Sequence, residues 1–393
     1  MNATLGAQTE PAPIGRRRPL RVAHVLPFLS AGGAARSVTG MMARQSDFHV
    51  KLFVLGREPA TWPAYDIPAD LTFLHYSRSR TDVGGALRCA RDLRNALREF
   101  EPDIVHAHLW AAALFSALAF PEARAKHITH VRDCRAWLAS TQWQCALGRQ
   151  AARILMDRVQ SRFIAVSEAA KDYTAHHLGI PRQRFEVIYN GIDGAAFRPT
   201  FRSGLPRSRI VIGTAGRLSH DKGHDYLLQS AAQLRDRGVD CEIRFAGSAT
   251  DACRRMYVAM ANDLGVADRV VFLGQVQDMS EFYGDLDIFA FPSLTEGLGV
   301  AVLEAMAMEL PVVAAAVGGV PEIVSNREDG VLVPPADPTA MTAAIMELID
   351  DPALRVELAR RGRQKVLSSF TLQSTADRVA AMYTRLVQRS AHA

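Results

Sequence analysis

Residues 291–324 read FPSLTEGLGVAVLEAMAMELPVVAAAVGGVPEIV. The stretch leaves an apolar run, DIFAFPS (287–293), through a Gly-flanked loop, LTEGLG (294–299). It resumes as an apolar helix start, VAVLEAMAM (300–308), turns at Pro311 and continues as a second apolar run, PVVAAAVGG. Strand, loop, helix, strand is the repeating unit of a parallel sheet, whose strands are apolar on both faces because helices cover both sides. Two acids interrupt the apolar pattern. Glu296 lies in the loop, and Glu304 lies eight residues later among Val, Ala, Leu and Met. A carboxylate in such company is costly to bury unless its oxygens are bonded. Paired hydroxyls of a ribose or sugar would satisfy Glu304, and so would a pair of backbone N–H groups.

The same alternation runs outward in both directions. Upstream come RIVIGTAG (209–216), CEIRFAG (241–247) and RVVFLG (269–274), each followed by a loop and a helical pattern. Downstream lie GVLVPP (330–335) and helices over 337–389. The first half repeats the theme: LRVAHVLPF (20–28) and the loop SAGGAARS (30–37), then HVKLFVLG (49–56), DLTFLHYS (70–77), a strand over 103–108, HITHVRD (127–133) and FIAVSEA (163–169). A helix is expected over 85–100, with Leu87, Ala90, Leu93 and Leu97 on one stripe. The turn YNGID (189–193) closes this half, and a linker is expected near 194–208, which holds Pro199, Gly204 and Pro206. The expected divisions are a basic tail over 1–19, a first α/β domain over 20–195, a second over 196–370 and a final helix over 371–393.

Composition narrows the class. The chain has 393 residues, 48% hydrophobic and 22% charged, which excludes a disordered or collagen-like protein. The longest apolar stretch, Leu109 to Phe120, falls short of a membrane span and runs into Pro121 and Glu122. Residues 1–19 lack the apolar core of a secretory signal. Five cysteines without a CxxC pair fit a reducing compartment better than a disulfide or zinc framework. These features point to a cytoplasmic protein. Charge is uneven: residues 1–195 hold 25 Lys and Arg against 17 Asp and Glu, a net of +8, whereas residues 196–393 net −3. A basic half suits an anionic partner or is simply an Arg-rich solvated surface.

In doubly wound sheets ligands sit at the carboxyl ends of the strands, so the loops after strands carry the chemistry. In TAGRLSHDKG (214–223), Arg217 and Lys222 flank a strand-to-helix turn that suits a diphosphate, or else form an ordinary solvated loop. Gly32-Gly33 and Gly318-Gly319 permit close backbone approach. His106 and His108 share one side of a strand. No GxGxxG fingerprint with its acidic partner, P-loop or GxSxG elbow is present, and no carboxylate pair is spaced as in a glycosidase. Asp285-Leu286-Asp287 spells DxD but precedes a strand, and His176-His177 lacks metal-ligand spacing.

Taken in order, these pieces resemble the retaining glycosyltransferases of family 4. Glu296 to Glu304 matches that family's E-x7-E motif, and GRLSHDKG its GR…KG loop. YNGID, IAVSEA, GGVPEIV, DGVLVPPAD and AGGAARSV match further stretches in the same order. The resemblance covers residues 20 to about 388 and implies a GT-B fold: two Rossmann-like doubly wound domains facing across a cleft, with the last helix crossing back to the first domain. It implies a nucleotide diphosphate sugar donor held mainly by the second domain and an acceptor held mainly by the first. Arg217 and Lys222 would clamp the diphosphate, Glu304 the ribose hydroxyls, and Glu296 the donor sugar. The N–H groups of Gly297, Leu298, Gly299 and Val300 would hold sugar hydroxyls and phosphate. Leu298 stands where the family more often has Phe. His108 would lie near the reacting sugar, Gly32 and Gly33 would approach the donor, and the base would be read by backbone near Gln275 and Val276.

The implied chemistry is a front-face transfer with no protein nucleophile and no metal. The implied activity moves a hexose, from a UDP-sugar or secondly GDP-mannose, to a lipid-linked or envelope-glycan acceptor. No nucleic acid partner is expected. A 2-epimerase on the same fold and a non-catalytic sugar-nucleotide-binding protein are the alternatives. The segment 135–163 mixes Trp137, Trp143, Leu147, Ile154 and Leu155 with Arg149, Arg153, Arg158 and Arg162. It reads either as a basic amphipathic helix lying on an anionic bilayer or as a core-packed helix with a solvated Arg face.

Overall fold

The computed structural model describes residues 18–29, 33–59, 67–76, 82–120, 125–134, 142–199 and 209–388. Residues 1–17 of the expected basic tail, Gly32, Trp137 and most of the linker lie outside these residues.

The first half builds a seven-stranded sheet from β1 (Arg21–Leu26), β2 (His49–Val54), β3 (Leu71–Phe73), β4 (Ile104–His108), β5 (Lys126–Val131), β6 (Arg162–Ala165) and β7 (Phe185–Val187). Every pairing is parallel and the order is β3-β2-β1-β4-β5-β6-β7. The second half repeats the plan with β8 (Ile210–Ala215), β9 (Cys241–Ala246), β10 (Val270–Gly274), β11 (Ile288–Phe291), β12 (Val312–Ala315) and β13 (Val331–Val333), in the order β10-β9-β8-β11-β12-β13. Both sheets therefore reverse direction of growth beside their first strand, between β1 and β4 and between β8 and β11. These reversals open crevices at the carboxyl ends of the strands.

The central strands are buried along nearly their whole length, as parallel strands covered on both faces must be. Helices α1 (Gly33–Met42), α2 (Val83–Phe100), α3 (Leu109–Ala119), α4 (Trp143–Arg158) and α5 (Glu168–Leu178) cover the first sheet. The second sheet carries α6 (His224–Asp236), α7 (Asp251–Asp263), α8 (Met279–Gly284), α9 (Val300–Ala307), α10 (Val320–Ile323) and α11 (Pro338–Asp350). Local sequence helps to start three of these helices. The carboxylates of Asp82, Asp278 and Asp337 each accept backbone N–H groups from the first turn they precede.

One expectation for α2 fails. Leu87 is exposed, and the buried stripe is Cys89, Leu93, Leu97 and Phe100. The helix begins two residues earlier than read, at Val83, which is exposed like Leu87.

After α12 (Pro352–Ser369), the chain returns to the first domain as α13 (Leu372–Gln388). Ala376, Val379, Met382 and Tyr383 pack on Val22, Ile104, Ile128 and Ile164 of the first sheet. The two crossing segments brace each other: Ile192 N–H donates to Phe370 O at 2.9 Å, and Leu372 N–H donates to Ile192 O at 3.0 Å. A single buried cluster spans both domains, joining Val105, Trp110 and Ala165 to Phe289, Leu298 and Val302.

Candidate functional site

The carboxyl edges of the two sheets face each other, and the loop over 293–299 sits between them. Two glycines make the approach possible. A side chain at Gly297 would collide with the Arg132 carbonyl at the end of β5, and one at Gly318, which has φ +52°, would collide with the Glu296 carbonyl. The Ser167 hydroxyl, at the end of β6, donates to Gly297 O at 2.5 Å. This loop of the second domain is thus seated on the first.

Glu296 and Lys222 are brought together. Lys222 Nζ stands 2.5 Å from Glu296 Oε1, which also accepts from the Ser293 hydroxyl at 3.0 Å. Lys222 enters from the turn after β8, and Glu296 from the loop after β11, adjacent strands at the switch point. Arg217 lies in the same turn as Lys222, is largely exposed, and makes a 3.5 Å contact with Asp221. The guanidinium is therefore largely exposed while the lysine is already held.

Glu304 is buried in the first turns of α9 and has partners that the sequence reading did not weigh. The Tyr283 hydroxyl donates to it at 2.9 Å, and Arg36 Nη1, from α1 of the other domain, lies 3.2 Å away. Burial pushes its carboxyl above the ordinary range, and Arg36 and the Tyr283 hydroxyl pull the other way. Beside it opens a cavity of about 470 Å³ between the domains, walled by Gly33, Arg36, Ser37, Gln277, Val300 and Glu304. Gly33 faces Val300 across this gap, where an added side chain would make only ordinary contact. Leu298 is buried in the shared core, Gly299 takes φ +98° to start α9, and Val276 packs at the core's edge. The Gly299–Val300 corner is thus a helix start aimed at the cleft.

His108 is enclosed. It ends β4, and Leu109, with φ +67°, turns the chain directly into α3. The cavity walls do not include His108, and both of its ring nitrogens are engaged. Nε2 lies 3.0 Å from His24 Nδ1, and Nδ1 lies 3.4 Å from an Arg132 nitrogen. A sugar contact from His108 would therefore require these partners to part.

Around His108 is a buried group that sequence reading missed. His106 Nε2 lies 3.2 Å from His130 Nδ1, His106 Nδ1 meets the Tyr383 hydroxyl at 2.5 Å, and His24 Nε2 meets Gln45 Oε1 at 3.2 Å. Burial drives all four imidazoles well below their usual range, so they are neutral at pH 7. A guanidinium only donates, so the Nδ1 atoms of His108 and His130 must accept from Arg132. The protons then lie on Nε2 throughout: His108 donates to His24, His24 to Gln45, Tyr383 to His106, and His106 to His130.

Nitrogen atoms of His24, His106 and His108 lie within 4.8 Å of one another, close enough to suggest a metal site. The network does not fit one, since each of these nitrogens is already bonded and a guanidinium abuts His108. The DxD acids also stand apart from the cleft. Asp287 Oδ2 accepts from Val211 N at 2.8 Å and Asp285 pairs with Arg244, both at the amino end of β11.

Two family descriptions match this chain: Glycosyltransferase Family 4 over residues 31–195 and Glycosyl transferases group 1 over residues 209–351. A glycogen synthase of Mycobacterium tuberculosis is 30% identical over 297 residues, covering 73% of this chain and 69% of that protein. The lipopolysaccharide core biosynthesis mannosyltransferase LpcC of Rhizobium leguminosarum is 32% identical over 233 residues, 56% of this chain and 64% of that relative's length. Among solved structures, a sucrose-phosphate synthase from Thermosynechococcus elongatus superposes with a TM-score of 0.80 at 20% identity, over 94% of this chain and 100% of that one. Anabaena Alr3699/HepE in complex with UDP and glucose does so with 0.80 at 21%, over 93% and 100%. The chain therefore belongs to the family 4 glycosyltransferases, with both halves of the GT-B fold present in one molecule.

Proposed function

We propose that this protein transfers a hexose, with retention, from a nucleotide diphosphate sugar to a hydroxyl of a lipid-linked or envelope-glycan acceptor. A UDP-sugar is the first choice of donor and GDP-mannose the second. The observation that carries the reading is the meeting of Lys222 and Glu296 beside the Gly299–Val300 helix start, with Glu304 on the adjoining cavity wall. A cation and backbone N–H groups suit a diphosphate, and a carboxylate suits sugar hydroxyls. Relatives named as a mannosyltransferase and a glycogen synthase, and a neighbour whose structure holds UDP-glucose, support the donor class.

In the reaction, the bond from the anomeric carbon to the β-phosphate oxygen breaks as the acceptor oxygen attacks from the same face. The departing diphosphate oxygen takes the acceptor's proton. Lys222 and Arg217 stabilise the charge that develops on that leaving group, which is where fixed cations lower a barrier most. Glu296 holds Lys222 in place and receives the sugar. The positions of Asp285 and Asp287 support metal-independent turnover as part of this reading, since neither acid reaches the cleft.

The acceptor side has a surface suited to an anionic bilayer. On α4, Leu147 is 61% and Ile154 58% exposed, beside Arg153 and Arg158, while Ala152 and Met156 are buried. Among the described residues, no helix is long and apolar enough to cross a membrane.

Incubation of the purified protein with UDP-, GDP-, ADP- and dTDP-sugars tests the reading. Release of nucleotide diphosphate and free or transferred sugar is expected. Interconversion of the nucleotide sugar would show an epimerase, and binding without turnover a non-catalytic protein.

A further inference from the structure

Arg132 is a buried cation without a counter-charge. It follows β5 and is 8% exposed. Its Nη1 donates to Asn190 Oδ1 at 2.9 Å and to the Ser37 hydroxyl at 3.1 Å, and its Nη2 to the two imidazoles. All four partners are neutral. Among the described residues no carboxylate pairs with it, and its Nε has no acceptor. Nearby, His130 Nε2, which must carry a proton in the network above, is also without an acceptor. The unmet groups here are donors beside a positive charge. Burial pulls the guanidinium down to about 9, against an upward pull from Tyr383, which shows how poorly this environment suits a cation. A buried, uncompensated charge is among the costliest features that a fold can carry.

The place is as telling as the charge. The Arg132 carbonyl abuts Gly297 of the loop that carries Glu296, and Ser37, which receives Nη1, is a wall of the 470 Å³ cavity. We propose that Arg132, with Ser37, Asn190 and the Nε2–H of His130, is a receptor for an oxyanion, a phosphate or carboxylate borne by the ligand that enters between the domains. The inference deepens the reading above and rests on it only for where the donor lies. Arg217 and Lys222 give the second domain its own phosphate-type cations, so Arg132 supplies the first domain's share of anion recognition. Its Nη protons are already engaged, so the guanidinium donor left for an oxyanion is Nε–H.

The oxyanion has three sources: the donor diphosphate, a carboxylate on the donor sugar, or a phosphate on the acceptor. Calorimetric titration with UDP, UDP-glucose, UDP-glucuronate and inorganic phosphate separates them, using wild type, Arg132→Gln and Asn190→Asp. The second variant places a carboxylate about where Asn190 Oδ1 now sits, 2.9 Å from the guanidinium. It should fold and melt at or above the wild-type temperature, because it supplies the missing charge, yet lose oxyanion binding tenfold or more. Arg132→Gln should lose the same binding. A loss with UDP itself assigns the diphosphate, a loss confined to the advantage of UDP-glucuronate over UDP-glucose assigns a sugar carboxylate, and a loss confined to inorganic phosphate assigns an acceptor phosphate. Wild-type affinities for all four probes in Asn190→Asp would overturn the proposal, and so would an Asn190→Asp chain that fails to fold. Absence of nucleotide binding in the wild type would instead count against the transferase reading, and phosphate binding through Arg132 would still be measurable.

Discussion

Arg36 and Glu304 are 268 residues apart in the chain and 3.2 Å apart in space, and their contact bridges the two domains at the wall of the cavity. Glu304 is the group whose carboxyl burial raises, and Arg36 is the larger of the influences that hold it down. Removing the guanidinium should therefore raise the Glu304 carboxyl further. With a carboxylate needed to accept ribose hydroxyls, nucleotide affinity falls as Glu304 takes up a proton, so the acid limb of the binding profile should move to higher pH in Arg36→Ala. Calorimetry with UDP across pH 4–7 reads the shift. A limb that stays in place would mean that Glu304 does not titrate in binding.

Glu304→Ala should weaken binding of the bare nucleotide diphosphate, whereas Glu296→Ala should spare it and reduce turnover. Glu304 borders the cavity, and Glu296 lies on the loop beside Lys222. Calorimetry and steady-state rates on both variants decide, and equal losses of nucleotide affinity would reverse the assignment.

Glu322 of α10 reaches across to α5. Its carboxylate accepts the N–H groups of Glu168 at 2.8 Å and Ala169 at 2.9 Å, and the Tyr189 hydroxyl at 3.1 Å. A carboxylate from one domain thus caps the first turn of a helix in the other, where the helix dipole favours it. Hydrogen bonds to a charged group contribute about 1.5–3 kcal/mol each when well formed. Glu322→Ala should loosen closure, seen as a larger radius of gyration by solution scattering and a raised KM for the donor. Unchanged scattering and KM would make the cap incidental.

The protein should pellet with vesicles containing anionic lipid at low salt and be released as salt rises, and neutral vesicles should bind it poorly. Replacing Arg149, Arg153 and Arg158 with Gln should weaken pelleting without lowering the melting temperature. If no binding appears at low salt, a soluble acceptor becomes the better choice.

The fold was legible because parallel strands covered on both faces leave long apolar runs between Gly-rich loops. IVHAH, HITHV and IFAF all announce themselves in this way. The short, partly exposed β3 and β7 do so less clearly. Glu296, Glu304 and Lys222 stood out because each is a charge at a place where the local pattern is apolar or turn-like. Their partners did not. Arg36 belongs to a helix that reads as ordinary, and Tyr283 to a six-residue helix. Arg132 directly follows β5, at a strand end that the topology marks for attention, but nothing local says that its side chain folds inward against His108. Such pairings depend on how the two sheets face each other, and local periodicity carries no record of that. His108 shows the converse. Its motif placed it at the sugar, and the structure encloses it among three other imidazoles.

The most direct test of the account is donor turnover by Lys222→Ala and Arg217→Ala in buffer containing EDTA. If these cations stabilise the departing diphosphate, the wild type should turn over without added metal. Each variant should then lose 10²-fold or more in kcat/KM, about 2.7 kcal/mol of transition-state stabilisation. Wild-type kcat/KM in both variants, or turnover that EDTA abolishes and Mg²⁺ or Mn²⁺ restores, would contradict it.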